Sequence, residues 1–296
     1  MKTLVGIVFT LIFCNLTWAE EAINKSSLAK SDVVSPNHFH WVTHKCQHDE
    51  SDEVETTPQS PPLNIDDPAT PGCNTWEVNV VMDGDLTPHE KSWDLPLFDI
   101  NYGIGDNLQL KYEVPYVLLQ TQDSRTTQMG NSKAGVKYLF YGNDETKLQI
   151  ATYPQMEFLT PAVRGSDRVP GTVATLPILF AGRIAKANGG DITLSANFGY
   201  NVSSRSDTAD FLSAAIGLGA PLYRKTAVIG ELATEQALKH IGDDPREQVV
   251  KLDVGLIGPV TEKISLFGSV GRSLSASDEQ EHFYVLSGLR FVQEPF

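Results

Sequence analysis

The chain has 296 residues, a formal net charge of -14 and a hydrophobic share of 41%. The acidic balance argues against nucleic acid as a partner. A mean hydropathy of -0.18, with no later apolar run near the roughly 18 residues a helical span needs, argues against a helical membrane protein, although strand-type membrane proteins average their hydrophobicity away by alternation.

Residues 1–19 read as a secretion signal, with Lys2 as the charged start, Leu4 to Leu16 as a short apolar core, and Thr17-Trp18-Ala19 as the cleavage site. Phe13 is too large to precede a lipidated Cys14. Residues 20–72 are rich in Ser, Thr, Pro, Asp and Glu, and carry the acidic run Asp49 to Glu55 and then Pro58, Pro61, Pro62, Pro68 and Pro71. That composition buries too little apolar surface to offset ordering, so a disordered periplasmic extension is expected. It contains His38, His40, His44, Cys46 and His48, side chains able to ligate zinc or copper, in no fixed motif. A solvated linker is the plainer reading, and no cofactor is expected. After the signal only Cys46 and Cys73 remain, a candidate disulfide in an oxidising compartment.

From Cys73 to the end at 296 the pattern changes. In Leu108-Gln-Leu-Lys-Tyr-Glu-Val-Pro-Tyr116 every second residue is apolar, and Gln109, Lys111 and Glu113 intervene. Side chains on a strand alternate faces, so one face is apolar and the other charged. The pattern predicts about twelve strands, near 74–82, 95–104, 107–119, 133–141, 147–156, 173–186, 191–202, 210–222, 226–236, 248–258, 262–272 and 282–292. Tight turns follow the even strands, at Gly105-Asp106, Gly142 to Glu145, Asn188 to Gly190, Tyr223 to Lys225 and Pro259 to Thr261. Longer polar connections follow the odd ones, such as Gln120 to Ser132 and Glu157 to Gly171. An even count with alternating connection lengths predicts an all-β fold: a transmembrane antiparallel β-barrel in a bacterial outer membrane, its apolar face on lipid. The aromatic-rich final strand to Phe291 and the terminal Phe296 suit recognition by barrel-assembly machinery.

Alternation places Glu77, Asp99, Lys111, Glu113, Lys137, Arg183, Glu231, Glu235, Lys251, Asp253 and Arg290 on the inward face, as candidates to line a lumen. Both signs are nearly in balance. That suits either a charged constriction or a wall of mutually paired charges. Trp76, Phe98, Phe198, Leu252, Val254 and Phe283 fall outward, and Trp76, Tyr102, Tyr116, Tyr138, Tyr200, Tyr223 and Phe291 suit interfacial girdles. Pro115, Pro154, Pro177 and Pro221 each remove a ladder donor, so bulges or strand ends are expected there. Outside the His-rich tract, His89, His240 and His282 have no Ser in a recognisable catalytic arrangement, so no catalytic residue is assigned.

Pro71-Gly-Cys73, Glu77-Val-Asn79, Pro96 to Gly103, Leu108 to Pro115, Gly135-Val-Lys-Tyr138 and Tyr153-Pro-Gln155 together resemble an outer-membrane barrel family labelled for the MetA pathway of phenol degradation, or simply as transporters. The resemblance spans Pro71 to Phe291 and is more specific in the first half. It implies passive diffusion of small hydrophobic or aromatic solutes. The alternative is a non-transporting structural or surface-interaction barrel with a packed lumen; a barrel-embedded hydrolase is third.

Overall fold

The computed structural model describes residues 54–142, 147–159, 171–206, 208–239, 247–277 and 281–293. The expected secretion signal, the His38 to His48 tract with Cys46, and His240 lie outside the described residues. Strand segments run in chain order as β1 (Trp76–Leu86), β2 (Glu90–Ile104), β3 (Leu108–Thr121), β4 (Arg125–Met129), β5 (Asn131–Tyr141), β6 (Leu148–Thr152), β7 (Gln155–Leu159), β8 (Thr172–Ala187), β9 (Gly190–Ser203), β10 (Phe211–Tyr223), β11 (Thr226–Ala237), β12 (Gln248–Thr261), β13 (Ile264–Ala276) and β14 (Phe283–Gln293). Gly130 separates β4 from β5 and Tyr153-Pro154 separates β6 from β7, so the 14 segments make a closed antiparallel barrel of 12 strands. β1 closes the ring against β14, with Trp76 opposite Gln293 and Leu86 opposite Phe283.

Alternation decides the faces. Outside, Trp76, Phe98, Leu110, Val136, Ile178, Phe198, Leu218, Val254 and Leu266 form an apolar belt; each remains exposed because no protein covers it. A side chain's worth of apolar surface left in water costs about 1.5–3 kcal/mol, so a belt of this extent requires an apolar surround. Trp76 and Tyr102 pack against each other at the short-turn rim, ring centroids 4.6 Å apart. Inside, Asn79, Asp99, Asn101, Gln109, Lys111, Lys137, Thr193, Ser195, Glu231 and Asp253 are buried.

Two of the expected long connections are shorter than the sequence suggests. β1 and β2 meet across residues 87–89, and β3 and β4 across residues 122–124. Residues 120–121 and 125–129, expected in a loop, are strand. Arg125 to Gln128 are exposed and polar, so the ladder continues without the apolar alternation that would have revealed it. Among the prolines, Pro115 and Pro221 lie at register irregularities. Pro154 sits at the break between β6 and β7. Pro177 is inside β8, facing Gly199.

The larger departure concerns the segment before the barrel. Residues 54–72 were expected to be disordered in the periplasm. They instead lie inside the barrel, with Ile65, Pro58, Pro62 and Pro68 fully buried. Leu63 and Ile65 join an apolar cluster with Val81, Ala227, Ile229, Ile257 and Phe267 of the inner wall. The compositional argument failed because it counted only the segment's own apolar residues, while the barrel supplies the rest. Cys73, at the foot of the segment, is disulfide-bonded. Both other cysteines, Cys14 and Cys46, lie outside the described residues.

Candidate functional site

The lumen and its inner segment form one site, and the contacts trace the segment's path. Near the short-turn rim, Thr56 Oγ1 donates to the Asp191 carbonyl at 2.8 Å and lies 2.9 Å from Thr193 Oγ1. Ser195 Oγ donates to the Pro58 carbonyl at 3.4 Å. Deeper in, Arg290 donates to the Gln59 amide oxygen and, at 3.1 Å, to the Pro61 carbonyl. Ser269 Oγ reaches the Pro62 carbonyl at 2.7 Å. At mid-barrel, both oxygens of Glu231 are occupied. Oε1 accepts from the Asn64 backbone N–H at 3.0 Å and its side-chain amide at 2.7 Å, and Oε2 accepts from the Ile65 N–H at 2.7 Å. On the return, Lys137 Nζ meets Asp67 Oδ1 at 3.4 Å and donates to the Ala69 carbonyl at 3.0 Å. Thr70 Oγ1 donates to the Asp106 carbonyl in the β2–β3 turn. The segment thus enters and leaves at the same rim, with its tip near residues 62–66.

Proline content suits this seat. Prolines offer carbonyls and no N–H, and the wall around them presents donors: Ser195, Ser269, Arg290 and Lys137. Two wall glycines permit the close approach. A Cβ on Gly219 would overlap the Thr56 carbonyl oxygen, and one on Gly103 would overlap that of Gly72. Burial pushes the Asp66 carboxyl on the segment upward in pKa, against the pull of Lys111 and Lys137.

A charged belt runs around part of the wall. Cross-strand register aligns Arg290, Asn79, Asp99, Glu113, Lys133 and Glu157 in a row. Arg290 Nε donates to Asn79 Oδ1 at 3.1 Å, and Asn79 Nδ2 donates to Asp99 Oδ2 at 3.0 Å. Lys111 Nζ, from the adjoining row, lies 2.9 Å from Glu113 and 3.5 Å from Asp99. Glu77 lies 3.5 Å from Arg290. Of the residues singled out from sequence, Glu77, Asp99, Lys111, Glu113 and Arg290 are therefore brought together, while Lys137 and Glu231 hold the segment. Glu231 and Asp253 face each other across β11 and β12. Lys251 lies over the Tyr284 ring, 4.9 Å from its centroid. Arg183 stands apart near the β8–β9 turn, 3.5 Å from Asp191 and partly exposed. Glu235 lines a cavity of about 400 Å³ toward the long-connection end. Sequence reasoning missed the apolar inner-wall residues Val81, Leu97, Ile229, Ile257 and Phe267. The signal that could have found them is alternation, which places these apolar residues on the polar face.

At the outer rim His282 Nδ1 is 2.9 Å from Asp85. Ser273 Oγ accepts from the His282 main-chain N–H, a backbone contact that does not activate a nucleophile.

No family model matches the chain, and no curated relative does. Solved structures do resemble it. One is the COG4313 outer membrane channel from Pseudomonas putida F1, with a TM-score of 0.64 and 11% identity, covering 78% of this chain and 100% of that one. Another is the NanC porin, with a TM-score of 0.52 and 10% identity, covering 72% and 98% respectively. At these identities the likeness establishes the fold, that of an outer-membrane β-barrel.

Proposed function

We propose that this chain is an outer-membrane channel that admits small, partly apolar or aromatic solutes by passive diffusion, with residues 54–72 as the element that yields to them. The observation carrying the reading is the apolar strip on the inner wall. Val81, Ile229, Ile257 and Phe267 are covered by Leu63 and Ile65. Such a strip offers a bare ion no favourable contact. A solute with an apolar face replaces Leu63 and Ile65 at little cost, while one without it leaves the strip wet. The charged belt of Asp99, Lys111, Glu113 and Arg290, with Glu77, lines the passage. It holds the wall rigid through pairs that neutralise each other locally. Residues 1–19 direct export, and barrel-assembly machinery reads the aromatic β14.

The test is single-channel conductance of the refolded mature chain in a planar bilayer, with and without phenol, paired with liposome uptake of phenol against a sugar of similar size. Openings modulated by phenol, with phenol taken up faster than the sugar, are expected. Openings indifferent to phenol, with equal uptake, would leave a general pore. Silence in both assays from a heat-modifiable, folded barrel would favour the non-transporting barrel with a packed lumen.

A further inference from the structure

The cavity of about 400 Å³ toward the long-connection end is walled by β8–β11 and by Lys133, Gln155 and Glu157, and the segment tip contributes Asn64 and Asp66. Its size falls in the range of about 300–1,000 Å³ usual for small-molecule sites. The room comes from the sequence of three neighbouring strands, whose inward positions here include Gly199, Ala215 and Ala233.

Most of the charges around the cavity are already engaged. Lys133 pairs with Glu113 at 3.5 Å. Glu157 meets Arg205 at 3.2 Å and accepts from the Asn131 amide. Asp66 accepts from Gln155 Nε2 at 3.5 Å. What remains available is neutral hydrogen-bonding capacity of both kinds. Ser213 Oγ accepts from Asn201 Nδ2 at 3.1 Å, so its own hydrogen is left to donate. Asn197 lines the same wall, and its Nδ2 has no partner among the described residues. Gln155 spends its amide N–H on Asp66 and keeps its carbonyl oxygen as an acceptor. Glu235 adds an exposed carboxylate.

Donors and acceptors set this closely are met together by groups that each donate and accept, and the hydroxyl is the uncharged group that does so. A charged ligand would instead compete with the pairs already made. Phe211 and Pro177 line the same cavity and supply apolar surface for the C–H face of a saturated ring.

We propose that this cavity binds an uncharged pyranose sugar, its hydroxyls on Asn197, Ser213, Gln155 and Glu235 and its C–H face on Phe211. This ligand class is separate from the solutes that displace Leu63 and Ile65, and its test reads binding, not passage.

The probes are the methyl α-glycosides of glucose, galactose and mannose, titrated by ligand-observed NMR against the folded mature chain in a polyoxyethylene detergent, which carries no sugar headgroup. Cyclohexanol, a ring of similar size with one hydroxyl, is the comparison. Saturable binding of at least one glycoside is expected, about tenfold or more tighter than cyclohexanol. Asn197→Ala is expected to weaken it by about fivefold, the loss of one hydrogen bond, and Phe211→Leu by a similar factor. Ala233→Leu adds side-chain volume in the cavity itself and should abolish binding in a folded barrel. Absence of saturable binding by all three glycosides, cyclohexanol binding as tightly as they do, or parent-like affinity in Ala233→Leu would each overturn the proposal. Should Ala233→Leu not fold, parent-like affinity in both Asn197→Ala and Phe211→Leu would do the same.

Discussion

Replacing Ile65 by Ala tests whether the inner segment holds the lumen shut. Ile65 is fully buried against Val81, Ala227, Ile229, Ile257 and Phe267. Truncating a buried Ile to Ala costs about 2–5 kcal/mol. Because Ile65 lies outside every strand, that cost falls on the seat and leaves the ladder intact. At about 3 kcal/mol the ratio of displaced to seated segment rises by roughly two orders of magnitude. In a planar bilayer, large openings should become more frequent by a comparable factor, while their amplitude matches the rare large openings of the parent. Val136→Ala, on the exposed outer face, serves as the control and should behave like the parent. An Ile65→Ala barrel that is folded by heat modifiability yet opens no more often than the control would refute the argument that this side chain's burial closes the lumen.

Gly219→Ala should give the same phenotype by a steric route, since its Cβ meets the Thr56 carbonyl oxygen; parent-like gating would show that the Thr56 arm can shift freely. Lys111→Met should lower the unfolding temperature in detergent, because it removes the ion-pair partner of buried Asp99, leaving it Asn79 alone, and leaves Glu113 only Lys133, a loss of about 3–5 kcal/mol for one member of a buried pair. An unchanged melting temperature would mean that solvent in the lumen already screens those carboxylates.

Strand positions and facing were legible because a lipid-facing wall enforces period-two alternation along every strand, as in Leu108 to Tyr116. Where that constraint lapses, so did legibility. Arg125 to Gln128 extend the ladder with polar side chains on both faces and read as loop. The seated segment was illegible for a different reason. Pro58, Pro62, Leu63 and Ile65 are too few to form a core of their own, and their partners Glu231, Ser269 and Arg290 follow at a distance of more than 160 positions in the chain. The inward charges were legible individually. Their pairing was not, because register across β14, β1, β2, β3 and β5 decides which charge meets which.

Both arms of the inner segment leave by one rim, at Thr56 and at Thr70, and its second arm runs directly into β1. The lumen is therefore never free of its own competitor. A tethered element of this kind acts at an effective concentration set by the tether, in the millimolar range for short connections, and under the proposed function a solute would gain the apolar strip only by exceeding that standing competition. Seat strength then becomes a threshold dial. Substitutions at Gly103, Gly219 or Glu231 would shift the external concentration at which uptake begins, without altering which solutes the uncovered wall prefers.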